Sequence, residues 1–163
     1  MNELKQKFER IVKQEKGTVY SICLMFAADR FDADDMAQEA LTNLWLGLPK
    51  FRDDSSYHTW VYRVTLNTCI SFDRKRKRKS AREINIDINP GILSDNTRVG
   101  QNSRLLHQRI QMLEPFDRAI ILLWLEDLPY EEIGAIVGIS AKAVGVRLVR
   151  IREKLKKITV NEK

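Results

Sequence analysis

The stretch LPYEEIGAIVGISAKAVGVRLVRIREKLKKI, residues 128–158, carries the strongest local signal for the fold. Pro129 can begin a short helix, Gly138 can end it, and Ser140 can cap the helix that follows. In that second helix, apolar residues recur at spacings of four, three, four and three, at Val144, Leu148, Ile151, Leu155 and Ile158. Two helices joined by a tight turn, with the second one basic, predict a helix-turn-helix.

A helical wheel of this second helix separates two faces. If the Val144 face is buried, the opposite face carries Lys142, Val146, Val149, Arg150, Glu153 and Lys157, with Arg147 on the flank. The two valines could be exposed incidentally, or they could contact another part of the protein. In a major groove, however, valine side chains can contact thymine methyl groups while Arg and Lys hold phosphates. We therefore interpret this face as a DNA-binding surface.

Apolar residues recur at spacings of three and four almost throughout the chain, so we predict an all-α fold. In the N-terminal half we expect helices over about 4–28 and 34–47, and a third from about residue 59 into a basic run. In the C-terminal half, Pro115 can start a helix whose core segment is the apolar run 119–125.

The segment between these halves, EINIDINPGILSDNTRVG, reads differently. Ile84, Ile86 and Ile88 alternate as in a strand, but Asn, Asp, Pro and Gly interrupt the segment and no partner strand is evident. We therefore predict two small helical domains, 1–80 and 101–163, joined by a flexible linker over 81–100.

Positive charge is concentrated in two places in this chain of 163 residues, whose net charge is +6: the run 74–82, and the C-terminal segment 101–163 with 11 basic and 8 acidic groups. Residues 74–82 carry seven basic and no acidic groups, whereas residues 1–73 carry 9 basic and 11 acidic groups. This distribution favours an anionic partner. No apolar run approaches the roughly 18 residues that a membrane span needs, and the N-terminus lacks an apolar leader. We read Cys23 and Cys69 as buried free thiols and expect a cytoplasmic protein.

The basic run follows a helix that is mostly apolar around its circumference. Since no Pro or Gly occurs before Ser80, we expect the run to prolong this helix as a rigid positive extension. The remaining polar positions form a narrow stripe, at Arg63, Asn67, Arg74 and Arg78. The stripe is either a solvated edge or a nucleic-acid contact, because arginine attracts phosphate and asparagine can read a base.

An acidic cluster opens the helix near residue 34. Asp32 and Asp34 are candidates for its N-cap, which would also suit the helix dipole. Asp35 and Glu39 share a helix face, so a metal or acid/base site is the alternative reading. No histidine or second acidic cluster completes such a site, and we therefore predict no metal, no cofactor and no catalytic residue.

Three stretches together resemble a known family. DADDMAQEALTNLW, residues 32–45, and FRDDSSYHTWVYRVTLNTCISFDRKRKR, residues 51–78, look like region 2 of the ECF (extracytoplasmic function) sigma factors of bacterial RNA polymerase. LPYEEIGAIVGISAKAVGVRLVRIREKL, residues 128–155, is similar to their region 4. The resemblance extends over nearly the whole chain except the linker. It implies a sigma-70 family protein that binds core polymerase and directs promoter-specific initiation.

The resemblance also implies roles for individual side chains. The helix with the acidic start would dock on the clamp helices of the polymerase β′ subunit through Asp35, Gln38, Glu39, Asn43 and Trp45. The following loop and helix would hold a flipped base, open the −10 element and grip the non-template strand through Arg52, Ser56, Tyr57, Trp60, Arg63, Asn67, Arg74 and Arg78. The basic helix of the helix-turn-helix would read the −35 element through Lys142, Val146, Arg147, Val149 and Arg150.

The chain departs from the family at one point. Many members carry a Thr-Val-Lys-Ser-Arg-like string where residues 143–147 here read Ala-Val-Gly-Val-Arg, so Gly145 and Val146 replace a polar pair. Either methyl contacts replace hydrogen bonds at an unusual −35 element, or the domain relies more on DNA shape and phosphates.

Partners follow from the same resemblance: core polymerase, including its β flap, and promoter DNA. We expect no N-terminal extension before region 2 that could act as a self-inhibitory segment. The resemblance therefore implies restraint by a separate anti-sigma protein.

Three other functions compete with a non-enzymatic sigma factor. A stand-alone helix-turn-helix regulator explains the C-terminal half but leaves Trp60 and Asn67 without a purpose. A nucleic-acid enzyme using the acidic cluster would depend on a divalent metal. A membrane-binding module lacks a continuous exposed apolar face and is the weakest alternative.

Overall fold

The computed structural model describes the backbone of residues 2–80 and 101–161 and the side chains of residues 2–75 and 105–157. Within these residues it has seven α-helices, one short 3₁₀ turn and no strand, which confirms the predicted all-α fold. The chain divides into two compact units, Met1–Ile92 (unit 1) and Leu93–Lys163 (unit 2). The predicted domain limits stay predictions, and the predicted linker with its alternating isoleucines lies outside the described residues.

Unit 1 is built from three helices, each of which packs against the other two. They are α1 (Asn2–Phe26), α2 (Arg30–Gly47) and α3 (Tyr57–Ser80), with the 3₁₀ turn Leu48–Lys50 after α2. Their shared core contains the large apolar side chains Phe26, Met36, Leu44, Val61 and Leu66. The three predicted helices are therefore present, with α2 beginning four residues earlier than expected.

The early start of α2 has a local cause. Asp29 adopts an extended backbone and its carboxylate accepts a hydrogen bond from the Asp32 amide at 2.8 Å, so Asp29 is the N-cap. The predicted caps, Asp32 and Asp34, are wrong. The Asp32 carboxylate instead accepts from the Ala28 amide at 3.2 Å, before the helix begins. Several acids lie close together here, and the backbone conformation decides which one caps.

Two cysteines that lie 46 residues apart in sequence meet in the core of unit 1. Cys23 on α1 and Cys69 on α3 are both buried and are not joined by a disulfide, with their Sγ atoms 3.8 Å apart. The sequence predicts the two buried thiols. It does not predict their proximity, which arises because α1 and α3 pack against each other.

Helix α3 continues through the basic run. Its backbone stays helical to Ser80, as the absence of Pro and Gly predicts. Arg74 and Lys75, at the start of the run, are exposed, whereas Asp73 just before them is buried. The basic run is therefore the end of a helix that is anchored in the core of unit 1.

Unit 2 has four helices: α4 (Gln101–Gln111), α5 (Pro115–Leu125), α6 (Tyr130–Val137) and α7 (Ala141–Asn161). Pro115 stands in the first turn of α5, as predicted, and the core includes Ile110, Ile120, Leu123, Ile133 and Ile151. The buried Arg118 closes the end of α4, because its guanidinium donates to the carbonyls of Ile110, Gln111 and Leu113. This contact satisfies acceptors that a helix end leaves unpaired.

Helices α6 and α7 form the predicted helix-turn-helix. Gly138 ends α6 in the left-handed region, at φ 85°, where a glycine is favoured. The Ser140 hydroxyl accepts from the Ala143 amide at 3.1 Å and so caps α7. A Cβ atom on Gly134 would lie 2.4 Å from the Ile139 carbonyl oxygen, so the turn approaches α6 too closely for any side chain there.

None of the helices in the described ranges is both long enough and apolar enough to cross a membrane.

Candidate polymerase and nucleic-acid interfaces

Helix α7 exposes the face that the wheel predicts. Val144, Leu148 and Ile151 are buried against the other helices of unit 2. On the opposite face Val146 is 47% and Val149 59% exposed, although both are large apolar residues. Lys142 and Arg150 are exposed on the same face. The face combines methyl groups with cationic donors, which suits contacts to thymine methyl groups, base edges and phosphates.

Arg147, on the flank of α7, is held inside unit 2. Its Nη1 atom donates to the Asp117 carboxylate at 2.8 Å, and its guanidinium lies 4.6 Å from the centre of the Phe116 ring. Its side chain is nevertheless 45% exposed. Sequence reasoning missed Phe116 and Asp117, because they lie 30 or more residues before Arg147 and no local spacing links them.

Gly145 lies beneath an aromatic ring. A Cβ atom at this position would be 3.4 Å from Cε2 of Tyr130, the first residue of α6. A Cβ atom there would be in ordinary van der Waals contact with the ring. Tyr130 is itself partly exposed, so it forms part of the surface beside α7. The departure from the family string at residue 145 is thus matched by a packed tyrosine.

Helix α2 presents one exposed stripe between its two partners in the bundle. Asp35 and Gln38, two of the predicted polymerase contacts, lie on it together with Thr42. Phe31 and Leu46 lie near its ends and are 83% and 64% exposed. Sequence reasoning missed both apolar residues, although their spacing from Asp35 and Gln38 is helical.

The other three predicted polymerase contacts on α2 point toward neighbouring helices. Trp45 is half-buried and meets Phe8 of α1 edge to face, with ring centroids 5.2 Å apart. The Asn43 amide donates to the Thr68 hydroxyl of α3 at 2.9 Å. Glu39 lies 3.9 Å from the Lys75 ammonium of α3. These three residues contact α1 or α3, although Asn43 itself is exposed, and only Asp35 and Gln38 lie on the open stripe.

An aromatic cluster stands where the loop after α2 enters α3. The Phe51 ring lies 4.9 Å from that of Tyr57 and 5.0 Å from that of Trp60. Trp60 is half-buried, and a Cβ atom on Gly47 would be 3.3 Å from its ring. The Lys7 ammonium nitrogen lies 5.3 Å from the centre of the Tyr57 ring. A side-chain hydrogen bond with Tyr57 raises the pKa of Lys7. The sequence predicts Tyr57 and Trp60 for this site but not Phe51.

The loop itself is capped and turned by small polar residues. Ser56 accepts from the Thr59 amide at 3.2 Å and donates to the Thr59 hydroxyl at 3.0 Å, so it caps the start of α3. Asp53 adopts a positive φ of 56°, which Asp tolerates better than most residues. Arg52 is exposed beside it. Ser56 therefore has a structural role that the sequence analysis did not assign.

The polar stripe on α3 is only partly exposed. Asn67 and Arg74 are exposed, Arg63 is half-buried, and the side chain of Arg78 lies outside the described residues. The exposed members are two turns apart on the same helix, in line with the start of the basic run. Among the described residues, no group of three or more His, Cys, Asp or Glu side chains could hold a metal ion.

Comparisons with known proteins match both units. The family models of sigma-70 region 2 and sigma-70 region 4 match residues 11–79 and 103–155. The chain is 27% identical to the ECF RNA polymerase sigma factor SigW of Bacillus subtilis, over 92% of this chain and 87% of the relative. It is 31% identical to the ECF RNA polymerase sigma-E factor of Escherichia coli K12, over 75% of this chain and 71% of the relative.

Two solved structures share the fold. One is the sigma factor RpoE of Bartonella quintana, crystallised with the anti-sigma factor NepR, with a TM-score of 0.72, 19% identity and full coverage of both chains. The other is CnrH in complex with the cytosolic domain of CnrY, with a TM-score of 0.68 and 21% identity over 98% of this chain and 91% of that one.

Proposed function

The chain belongs to the ECF subfamily of the sigma-70 family and is a sigma factor of RNA polymerase, and we propose that each of its exposed helix faces serves one step of initiation. In this proposal the α2 stripe binds core polymerase, the aromatic cluster and α3 open the −10 element, and α7 reads the −35 element. The observation that carries the proposal is the exposed apolar and basic face of α7 in the unit that matches region 4.

The contact with the β′ clamp helices centres on Asp35 and Gln38. Both lie on the open stripe of α2, where a carboxylate and an amide can meet basic and polar partners. Glu39, Asn43 and Trp45 support this contact indirectly, because their own contacts to α1 and α3 hold α2 in place. A second polymerase contact, to the β flap, is assigned to unit 2 as a whole.

The −10 element is opened at the junction of the loop and α3. Phe51, Tyr57 and Trp60 provide ring surfaces beside the exposed Arg52 and the loop serine Ser56. Flipping a base costs a few kcal/mol, and stacking on an aromatic side chain returns about 1–3 kcal/mol per base. The separated strand then follows the described part of the α3 stripe toward the basic run, at Arg63, Asn67 and Arg74.

The −35 element is read by α7. Lys142 and Arg150 supply cationic donors, Val146 and Val149 supply methyl contacts, and Arg147 acts from the flank. Because Gly145 brings no side chain, hydrogen bonds that other members make from this position are absent here. The −35 sequence is accordingly expected to be rich in thymine at the positions facing the valines.

The remaining properties follow from the family. Sigma factors of this family are initiation factors that carry out no chemistry themselves, and we propose that this chain likewise has no enzymatic activity. It acts in the cytoplasm, where its polymerase is. An anti-sigma protein restrains it, by analogy with the two solved structures, one of which contains the anti-sigma factor NepR. The match to region 2 argues against a stand-alone helix-turn-helix regulator.

The decisive experiment combines polymerase binding with transcription. The purified chain is mixed with core polymerase, and the complex is tested on sheared DNA of the source organism. Tight binding and new discrete start sites are expected. A variant with Gln38→Ala and Asp35→Lys should lose core binding while keeping its thermal stability, with Ser71→Ala on the exposed side of α3 as the control. Binding that is unaffected by the double change would overturn the assignment of the α2 stripe.

Strand opening is tested separately. Trp60→Ala and Asn67→Ala should leave the closed complex intact but reduce the permanganate reactivity of thymines around the −10 element. Because Trp60 also packs on Phe51, its variant is compared at matched folded fraction, whereas Asn67 is exposed and needs no such correction. Normal reactivity in the Asn67 variant would remove α3 from the proposed path of the strand.

A further inference from the structure

Two residues in the first turn of α5 hold the flank of the DNA-facing helix. The Asp117 side chain is only 7% exposed, yet its carboxylate lies between two cations of α7. Oδ1 accepts from Arg147 Nη1 at 2.8 Å, and Oδ2 accepts from Lys154 Nζ at 3.3 Å. The neighbouring Phe116 ring lies 4.6 Å from the Arg147 guanidinium carbon. Arg147 is thus fixed by an ion pair and by an aromatic ring.

The arrangement leaves Arg147 able to bind a further partner. A guanidinium has five N–H donors in a fixed plane, and the bond to Asp117 engages its Nη1 end. The side chain remains 45% exposed next to Val146 and Arg150. An arginine that is already ordered loses less conformational entropy when it binds than one that swings free. Its unused donors therefore meet DNA in one orientation.

Lys154 is restrained by the same carboxylate. It lies seven residues after Arg147, two helical turns along the same flank of α7. With Asp117 between them, the two cations carry a partly neutralised charge. Neutralisation weakens attraction to any phosphate backbone, whatever its sequence. The buried Asp117 thus orients Arg147 toward the bases and also lowers the affinity of this flank for DNA of any sequence.

We propose that Asp117, assisted by Phe116, is a positioning residue for promoter recognition. It fixes Arg147 so that the remaining N–H groups read a base edge in the −35 element, and it reduces non-specific binding by the α7 flank. This inference rests on the proposed role of α7 in reading the −35 element. It assigns Asp117 no contact with DNA.

The test uses holoenzyme assembled from the full chain and core polymerase. The probes are promoter fragments with a fixed −10 region, chosen from the start sites of the transcription experiment, and eight randomised positions in the −35 region. Holoenzyme with Asp117→Asn should discriminate among the bases at one −35 position about tenfold less than the unmodified holoenzyme does. A loss of this size is expected when one arginine contact to a base is lost. Its affinity for non-promoter duplex should rise. The slope of log affinity against log salt concentration (the salt slope) should become steeper by the amount expected for about one additional phosphate contact.

A matched control removes the same charge nearby. Glu114, the residue before Pro115, is exposed and makes no side-chain cap to α5. Glu114→Gln should leave both the base preference and the salt slope at the values of the unmodified chain. A merely structural role of Asp117 would lower all binding in proportion to the unfolded fraction, without raising affinity for non-promoter DNA.

Two further variants make the outcome decisive. Phe116→Leu removes the ring but keeps the carboxylate, and should reduce the same base preference about threefold; it replaces Asp117→Asn if that variant does not fold. An unchanged preference and salt slope in a folded Asp117 or Phe116 variant would overturn the inference. In that case, Arg150→Ala decides how much fails. If Arg150→Ala also leaves every −35 base preference unchanged, the proposed role of α7 fails as well. If Arg150→Ala changes a −35 base preference, only the positioning role of Asp117 fails.

Discussion

Helices α2 and α7 can be compared because each was predicted to bind a partner along one face, α7 from its helical wheel and α2 from its resemblance to sigma region 2. In α7, all five predicted contacts are exposed, although Arg147 is also paired with Asp117. In α2, only Asp35 and Gln38 lie on the open stripe, whereas Trp45, Asn43 and Glu39 contact α1 or α3. The wheel of α7 therefore predicted which residues are exposed, whereas the resemblance did not distinguish the α2 residues that face solvent from those that contact α1 or α3.

The difference lies in how many sides of each helix are covered. Helix α2 packs against both α1 and α3, so two flanks of its surface are occupied and a narrow stripe is left. On α7, the core residues Val144, Leu148 and Ile151 line one side and leave the opposite side open. An amphipathic pattern identifies the most buried side of a helix, but it does not distinguish a polar side chain that faces solvent from one that pairs with the next helix.

The largest expected effect tests whether Trp45 is structural. Trp45→Ala removes the indole that packs on Phe8 and should lower the free energy of unfolding of the chain by about 3 kcal/mol. Its exposed neighbour gives the control, since Leu46→Ala should change stability by no more than about 0.5 kcal/mol. Urea denaturation followed by circular dichroism measures both. Weaker polymerase binding by Trp45→Ala without loss of stability would make Trp45 a contact residue and break the comparison.

The next effect concerns the open face of α7. Arg150→Ala should weaken promoter binding by holoenzyme by about 2 kcal/mol, or roughly thirtyfold, while the thermal midpoint stays unchanged. Arg152→Ala carries the same charge change, but Arg152 lies over the Trp124 ring at 5.4 Å, away from the DNA-facing side. Its effect on promoter affinity should be several-fold smaller. Equal losses in a filter-binding titration would mean that α7 contributes charge alone and no defined face.

A smaller effect separates two polar residues of α2. Asn43→Ala breaks the hydrogen bond to Thr68 and should cost about 1 kcal/mol of unfolding free energy. Gln38→Ala, five residues earlier, should leave stability unchanged and reduce affinity for core polymerase. Chemical denaturation and a polymerase pull-down at several salt concentrations measure the pair. The reverse result, with Gln38 affecting stability and Asn43 affecting binding, would invert the assignment of the two sides of α2.

The smallest effect is a pH dependence confined to unit 2. Burial, and secondarily the positive charge of Arg118, lower the pKa of His107 below its usual 6.5. The unfolded chain therefore binds the proton more readily than the folded one, and stability is lost as pH falls from about 6.5 toward the lower folded value. Between pH 7.5, 6.5 and 5.5, the midpoint of thermal unfolding should decline less in His107→Gln than in the unmodified chain. Parallel declines would contradict the desolvation of His107.

Much of the architecture was predictable because its causes are local. Pro115, Gly138 and Ser140 act within one turn of the helix ends they define, and each stands at such an end in the structure. The N-cap of α2 was the exception. Asp29, Asp32 and Asp34 all suit a cap by residue type, and only the extended backbone of Asp29 selects among them.

Several other features that escaped prediction depend on contacts between distant residues. The Cys23 and Cys69 sulfurs meet across 46 residues, and Trp45 finds Phe8 across 37. Asp117 reaches Arg147 from 30 residues earlier in the chain. No periodicity within a helix encodes such a pair, because the partner is chosen by which helices pack together and in what register.

The sequence by itself determined the all-α fold, the helix-turn-helix and the buried and exposed faces of α7, because spacing and end signals act over three to seven residues. Its resemblance to sigma regions 2 and 4 indicated the family. The tertiary structure alone decided which predicted contact residues stay available. It left Asp35, Gln38, Val146 and Val149 on open faces, packed Trp45 against Phe8, joined the exposed Asn43 to Thr68, and paired Arg147 with Asp117. The physical reason is that polar and aromatic side chains stabilise the fold by contacting the residues that tertiary packing places next to them. A single segment of the chain does not specify which residues those are.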